Sequence, residues 1–165
     1  MAPFTLLQRS GVTAKVADWT KAVLVIIDAQ NDYADGSLPL SGVADATREI
    51  QSLLGKARAD GVPVVHVVHL SGADSWLFAA GSHGAGIMPA LTPAGGEPII
   101  SKTLPNAFAG TELQATLAAI AADTGRTELL IEMARGALIG APRTAHISRR
   151  FRHGMVCQPI RQIRG

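Results

Sequence analysis

The sequence predicts an α/β protein in three layers, a parallel sheet with helices on its faces. Three observations carry this. Runs rich in β-branched and aliphatic residues recur at Ala22–Ile27, which is wholly apolar, and at Val62–Leu70, interrupted only by Pro63, His66 and His69, the pattern of strands buried on both faces of a parallel sheet. Segments with a helical apolar stripe lie among these runs. The order strand, helix, strand, long loop, strand, helix, strand then calls for crossover connections between parallel neighbours.

The first strand, AVLVII, ends abruptly at Asp28. A helix is expected from about Gly42 to Gly61. Val43, Ala46, Ile50, Leu53, Leu54 and Ala57 fall on one face of it, with Arg48, Glu49, Lys56 and Arg58 largely off that face. Ser41 suits its N-cap, Gly61 its C′ position, and Pro63 stops it. Residues 62–70 (VPVVHVVHL) read as the second strand. Residues 71–96, rich in Gly, Pro and Ser with no sustained period, read as a long surface excursion, and such loops are often functional. Glu97–Lys102 is a short third strand. The second helix is expected to open at Thr111, where TELQ has capping-box spacing from Thr111 to Gln114. Leu113, Leu117, Ile120 and Ala121 form its stripe and Gly125 closes it. Thr127–Ile131 is the fourth strand.

A chain of 165 residues suits one domain, read as residues 1–140, followed by a basic tail over 141–165. The net charge of +2 hides a split, because all 13 acidic residues lie at or before Glu132 while seven arginines follow it. The tail has neither regular spacing nor an interleaved series of aromatics, so no specific nucleic-acid partner is expected. The longest apolar run is far shorter than the roughly 20 residues that span a bilayer, and no membrane association is expected. With no leader-like start and a single cysteine, Cys157, the expected compartment is the cytoplasm.

Asp28 and Lys102 each terminate a strand, which puts both at the carboxyl edge of the sheet, where sites of this architecture lie. Singly, each has an ordinary explanation: Asp28 opens a turn-rich loop, AQNDYADG, and Lys102 is a strand-end lysine. Together they could form a carboxylate–ammonium pair, the lysine keeping the carboxylate ionised while partial burial raises its basicity. A hydrolase built on such a pair also needs a nucleophile. His66 and His69 are too loosely arranged for a metal ligand set and read as packed strand histidines, although His69 could shape a pocket.

Several segments resemble the isochorismatase-like cysteine hydrolases, the group that includes nicotinamidases and N-carbamoylsarcosine amidohydrolases. They are AVLVIIDAQNDY at 22–33, DGSLPL at 35–40, GVPVVHVVHLS at 61–71, FAAGSHGAGIMPAL at 78–91 and GEPIISKTLPNAFAGTELQATL at 96–117. The resemblance implies a six-stranded parallel sheet and a hydrolase of small amides, carbamoyl compounds or vinyl ethers. Asp28 would take a proton from a cysteine thiol, Lys102 would support Asp28 and the intermediate's charge, and the cysteine would open the helix after the fourth strand. Trp76, Phe78 and Phe108 would line the substrate pocket. Nicotinamidase-like metal binding is not expected, since SLPLSGVADATREI holds no Asp-x-His, and no cofactor is implied. A small-molecule substrate and a homo-oligomer are expected.

The third catalytic residue is missing. In TELLIEMARGALIG, residues 127–140, the strand passes straight into what resembles a later part of the family's helix, so the cysteine-bearing turn is absent between Ile131 and Ala134. Cys157 lies well beyond the expected spacing from Lys102. The last strands and helices are therefore expected to be missing or altered, with an exposed fourth-strand edge and marginal stability. Three readings follow: a hydrolase that keeps Asp28 and Lys102, a non-catalytic relative that binds a small molecule or partner, and an inactive product of a frameshift near residue 140.

Overall fold

The structure, a computed structural model, describes residues 18–133 and 157–159. Its elements are β1 (Ala22–Ile27), α1 (Val43–Ala59), β2 (Val64–His69), β3 (Ile99–Lys102), α2 (Leu113–Thr124), β4 (Glu128–Met133) and β5 (Cys157–Pro159), with single 3-10 turns at Asn31–Tyr33 and Pro89–Leu91. The sheet runs in the order β3-β2-β1-β4-β5, its first four strands parallel and β5 antiparallel to β4. The three-layer α/β/α expectation is met.

β1 sits at the centre and all six of its residues are buried, which is why its sequence does not alternate. Ala22, Leu24 and Ile26 pack with Ile50, Leu54 and Ala57 of α1, with Leu130, and with Met88 and Leu91 of the long loop. Val23, Val25 and Ile27 pack on the other face with Val65, Val67, Ile100, Leu129 and the α2 residues Leu113 and Leu117. Truncating one such side chain, as in Leu24→Ala, typically costs about 2–5 kcal/mol.

The register sets up the site. Ile27 lies opposite Val67 and Met133, and His69 lies opposite Lys102. The carboxyl ends of β1, β2 and β3 are thus brought level, which gathers Asp28, His69 and Lys102 at one edge.

Several local expectations need correction. Gly42, left-handed at φ 79°, stands at the start of α1 in place of Ser41, because the chain enters the helix through a bend that glycine adopts without a Cβ clash. Gly61 is left-handed as a C′ residue should be. The capping box at Thr111 does not form. The Thr111 hydroxyl donates back to the Ala107 carbonyl at 2.6 Å and accepts the Leu113 N–H at 3.3 Å, leaving Glu112 before the first helical residue. β4 extends two residues past Ile131, and its outer edge is not bare: β5 pairs with Glu128–Leu130. That pairing satisfies edge groups that would otherwise invite association. Residues 134–156, which contain the rest of TELLIEMARGALIG and much of the basic tail, lie outside the described residues, as do 160–165.

Beneath β2 and β3, Arg58 donates to both Glu97 oxygens at 2.8 Å, and His66 lies 2.9 Å from Glu97 Oε2. Burial would raise the Glu97 carboxyl, but its bonds to Arg58, the Ala94 N–H and His66 outweigh this and hold it at about 2. A depressed carboxyl pKa stabilises the fold above the unfolded value, near 4.5, and that stability is lost as pH falls toward 2. Glu97→Gln should therefore remove roughly 2 kcal/mol at neutral pH, allowing for solvent at Arg58. It should also flatten the acid limb between about pH 4.5 and 2, as checked by urea unfolding across pH.

Candidate active site

Asp28 directly follows β1 with φ 56°, a left-handed conformation uncommon for a residue with a side chain. Strained positions of this kind cluster at functional sites. Strand alternation would carry Asp28 toward the α1 side with Leu24 and Ile26, whereas Lys102 shares the α2 side with Ile100. Departure from the pleat lets the two meet: Lys102 Nζ is 3.2 Å from Asp28 Oδ1, with the lysine side chain almost fully buried and the aspartate mostly so. The Asp28 Oδ1 atom is shut off from solvent and has no hydrogen-bond partner among the described residues, so the charge of the ammonium is its compensation. Lys102 also donates to the Leu104 carbonyl and to His69 Nδ1, both at 3.3 Å.

The loop after Asp28 explains why AQNDY is so polar in a place so buried. Gln30, fully buried, donates from Nε2 to the carbonyls of His69 and Ala85 and accepts the His69 N–H at Oε1, all at 2.8 Å. It holds the end of β2 much as a neighbouring strand would. Asn31 donates to the His83 carbonyl at 2.9 Å. Asp32 accepts the Ser37 N–H at 2.8 Å and the Phe78 N–H at 2.6 Å. Burial would raise the Asp32 carboxyl, yet these N–H bonds outweigh it and leave it below the usual carboxylate range. Three successive side chains therefore pin the 71–96 excursion to the end of β1.

Phe78, buried and left-handed at φ 52°, is held by that Asp32 bond. Its ring meets Tyr33 edge-on at 5.1 Å and His69 at 5.4 Å. Burial lowers the His69 pKa and Lys102 lowers it further, while Asp28 opposes the shift. His69 is therefore neutral at neutral pH. Because Lys102 donates to Nδ1, the ring proton sits on Nε2.

Among the residues expected from sequence, the structure brings Asp28 and Lys102 together and ties Phe78 to them through His69. Trp76 is 68% exposed, and Phe108 packs against the core cluster beneath α2, so neither is joined to the pair in this way. The Cys157 backbone pairs with Leu130, three residues short of the end of β4 and two strands from β1, which places it roughly 15 Å from Asp28 by strand geometry. Among the described residues no three His, Cys, Asp or Glu side chains converge to hold a metal ion, and no helix is long and apolar enough to cross a membrane.

Sequence reasoning missed Gln30 and Asp32, whose polar types suit an ordinary turn, and it read His69 as packing. Two nearly buried polar residues beside an all-apolar strand were the available signal.

An isochorismatase domain model matches residues 22–131. The chain is 45% identical over 107 residues to the secreted isochorismatase effector Isc1 of Verticillium dahliae, covering 65% of this chain and 56% of that one. It is 31% identical over 141 residues to the isochorismatase family protein YddQ of Bacillus subtilis, covering 83% and 73%. A crystal structure of an isochorismatase from Pseudomonas putida superposes with a TM-score of 0.68 at 36% identity, covering 80% of this chain and 66% of the other. The chain thus spans little more than half of the fungal relative and about two thirds of the solved structure.

The Asp32 clamp has a steric signature. A Cβ at Gly84 would collide with the Asp32 carboxylate, and one at Gly36 with Asp32 Oδ1. Gly84→Ala should destabilise by about 1–3 kcal/mol in denaturant unfolding. In an Asp32→Ala background, where the obstructing carboxylate is gone, the same substitution should be close to neutral.

Proposed function

The chain belongs to the isochorismatase family, and we propose on that premise that it hydrolyses a small molecule by proton transfer at Asp28, with no cysteine taking part. The observation that carries this is the Asp28–Lys102 pair, closed at 3.2 Å on the carboxyl edge of the sheet, while the backbone of the chain's one cysteine pairs three strands' width away from Lys102's neighbour β2. Thiolate attack on an amide or carbamoyl carbon needs a sulfur beside the base. Hydrolysis of a vinyl ether does not.

In that reaction Asp28 enters as the protonated carboxylic acid and gives its proton to the terminal alkene carbon, leaving a carboxylate and an oxocarbenium ion. Water adds to the oxygen-bearing carbon and returns a proton to Asp28, and the resulting hemiketal collapses to a ketone and an alcohol. Lys102 balances the carboxylate charge that exists on Asp28 between the two transfers. Such proton transfer is typically worth 10²–10⁴-fold in rate, on the order of 3–5 kcal/mol.

A second reading, a non-catalytic small-molecule binder, is favoured by the same remoteness of Cys157. The frameshift reading concerns residues beyond 140, outside the described part of the chain, and the gene sequence across codons 130–165 decides it. Homo-oligomerisation belongs to the proposal and is read by solution scattering. A cytoplasmic location rests on the single cysteine and stands against the relative named as secreted; cell fractionation separates the two.

Assays on isochorismate, nicotinamide and N-carbamoyl compounds test the function. The expected result is turnover of the vinyl ether, unchanged in Cys157→Ser and reduced about 100-fold or more in Asp28→Asn. Amide turnover lost in Cys157→Ser would replace this mechanism with a thiol one. A ligand-induced thermal shift without turnover would establish the binder.

A further inference from the structure

An ammonium has three N–H donors and no acceptor. In this site two of them find acceptors, His69 Nδ1 and the Leu104 carbonyl, both at 3.3 Å, while Asp28 Oδ1 faces the nitrogen at 3.2 Å as an ion pair. Lys102 is almost fully buried, so no water shell replaces a lost partner. We infer that His69 is a positioning residue of this site, accepting one Lys102 N–H and so holding the ammonium against the Asp28 carboxylate instead of leaving it free to turn to a substrate oxygen.

The fold prepares His69 for this role from three sides. Gln30 clamps its backbone N–H and carbonyl at 2.8 Å, fixing where the ring begins. Phe78, locked in its left-handed conformation by Asp32, covers the ring at 5.4 Å. The charged groups that face it among the described residues are Lys102 from β3 and Asp28 after β1. A protonated imidazole would offer no lone pair to Lys102 and would repel it, so the arrangement requires the neutral ring with its proton on Nε2. That Nε2–H is engaged by none of the described residues and is left as a donor at the same edge.

The inference rests on the reading in which Asp28 and Lys102 carry the reaction, but the state of the ring is observable without turnover. Nitrogen-15 NMR of the full chain across pH should show a neutral His69 with hydrogen on Nε2 at pH 7 and a protonation midpoint below the ordinary histidine value of about 6.5. Lys102→Met should move that midpoint up and Asp28→Asn should move it down. Hydrogen on Nδ1, a charged ring at pH 7, or a midpoint indifferent to Lys102→Met would overturn the inference. Should Lys102→Met fail to fold, the wild-type tautomer alone decides. Where a substrate is turned over, His69→Leu should lose about tenfold or more in kcat with a displaced pH profile. His69→Gln, whose amide oxygen can accept the same N–H, should restore most of that loss. Equal losses in the two variants would contradict the role. Absence of all turnover would sink the proposed function and leave the NMR result to decide this one.

Discussion

A buried ammonium facing a nearly buried carboxylate is the interaction on which the arrangement of this protein depends. Taking both charges out of water carries a penalty of several kcal/mol per ion, and it is recovered only when geometry and further hydrogen bonds are good. On the ammonium side the Asp28–Lys102 pair meets that condition by recruiting a strand-end histidine and a loop carbonyl around one nitrogen, while the facing Asp28 oxygen depends on the ammonium charge alone. Each requirement propagates outward. Lys102 must be level with His69, which the β2–β3 register provides. Asp28 must leave the pleat of β1, which its positive φ provides.

The loop after β1 turns this local demand into a shape for the whole edge. Gln30, Asn31 and Asp32 look like generic turn formers, yet each spends its side chain on backbone groups of the distant 69–85 stretch. The long excursion thereby becomes a fixed wall, with glycine required at 84 because Asp32 fills the space a Cβ would take. Preorganisation of this kind lets a proton-transfer group work without rearranging its surroundings during the reaction.

The fold was legible wherever burial on both faces leaves a strong signature. AVLVII and VPVVHVVHL could hardly be anything but central strands, and the stripes of α1 and α2 match the residues that pack. Helix starts were read less well, because Ser41 and Thr111 have the right chemistry for caps while the chain's entry angle gave those positions to Gly42 and Glu112. Asp28 and Lys102 stood out because a charge after an apolar strand needs a partner. His69 and Asp32 did not, since their roles arise from contacts between residues some 30 to 46 positions apart. No local pattern encodes such contacts.

The central claim is that the pair is a coupled unit, with neither member an independent strand-end charge. A double-mutant cycle on Asp28→Asn and Lys102→Met, followed by denaturant unfolding of all four proteins, tests it most directly. The account predicts that each single change leaves a buried group uncompensated and that the double variant is less destabilised than the sum of the singles by about 1 kcal/mol or more. Strict additivity would contradict it.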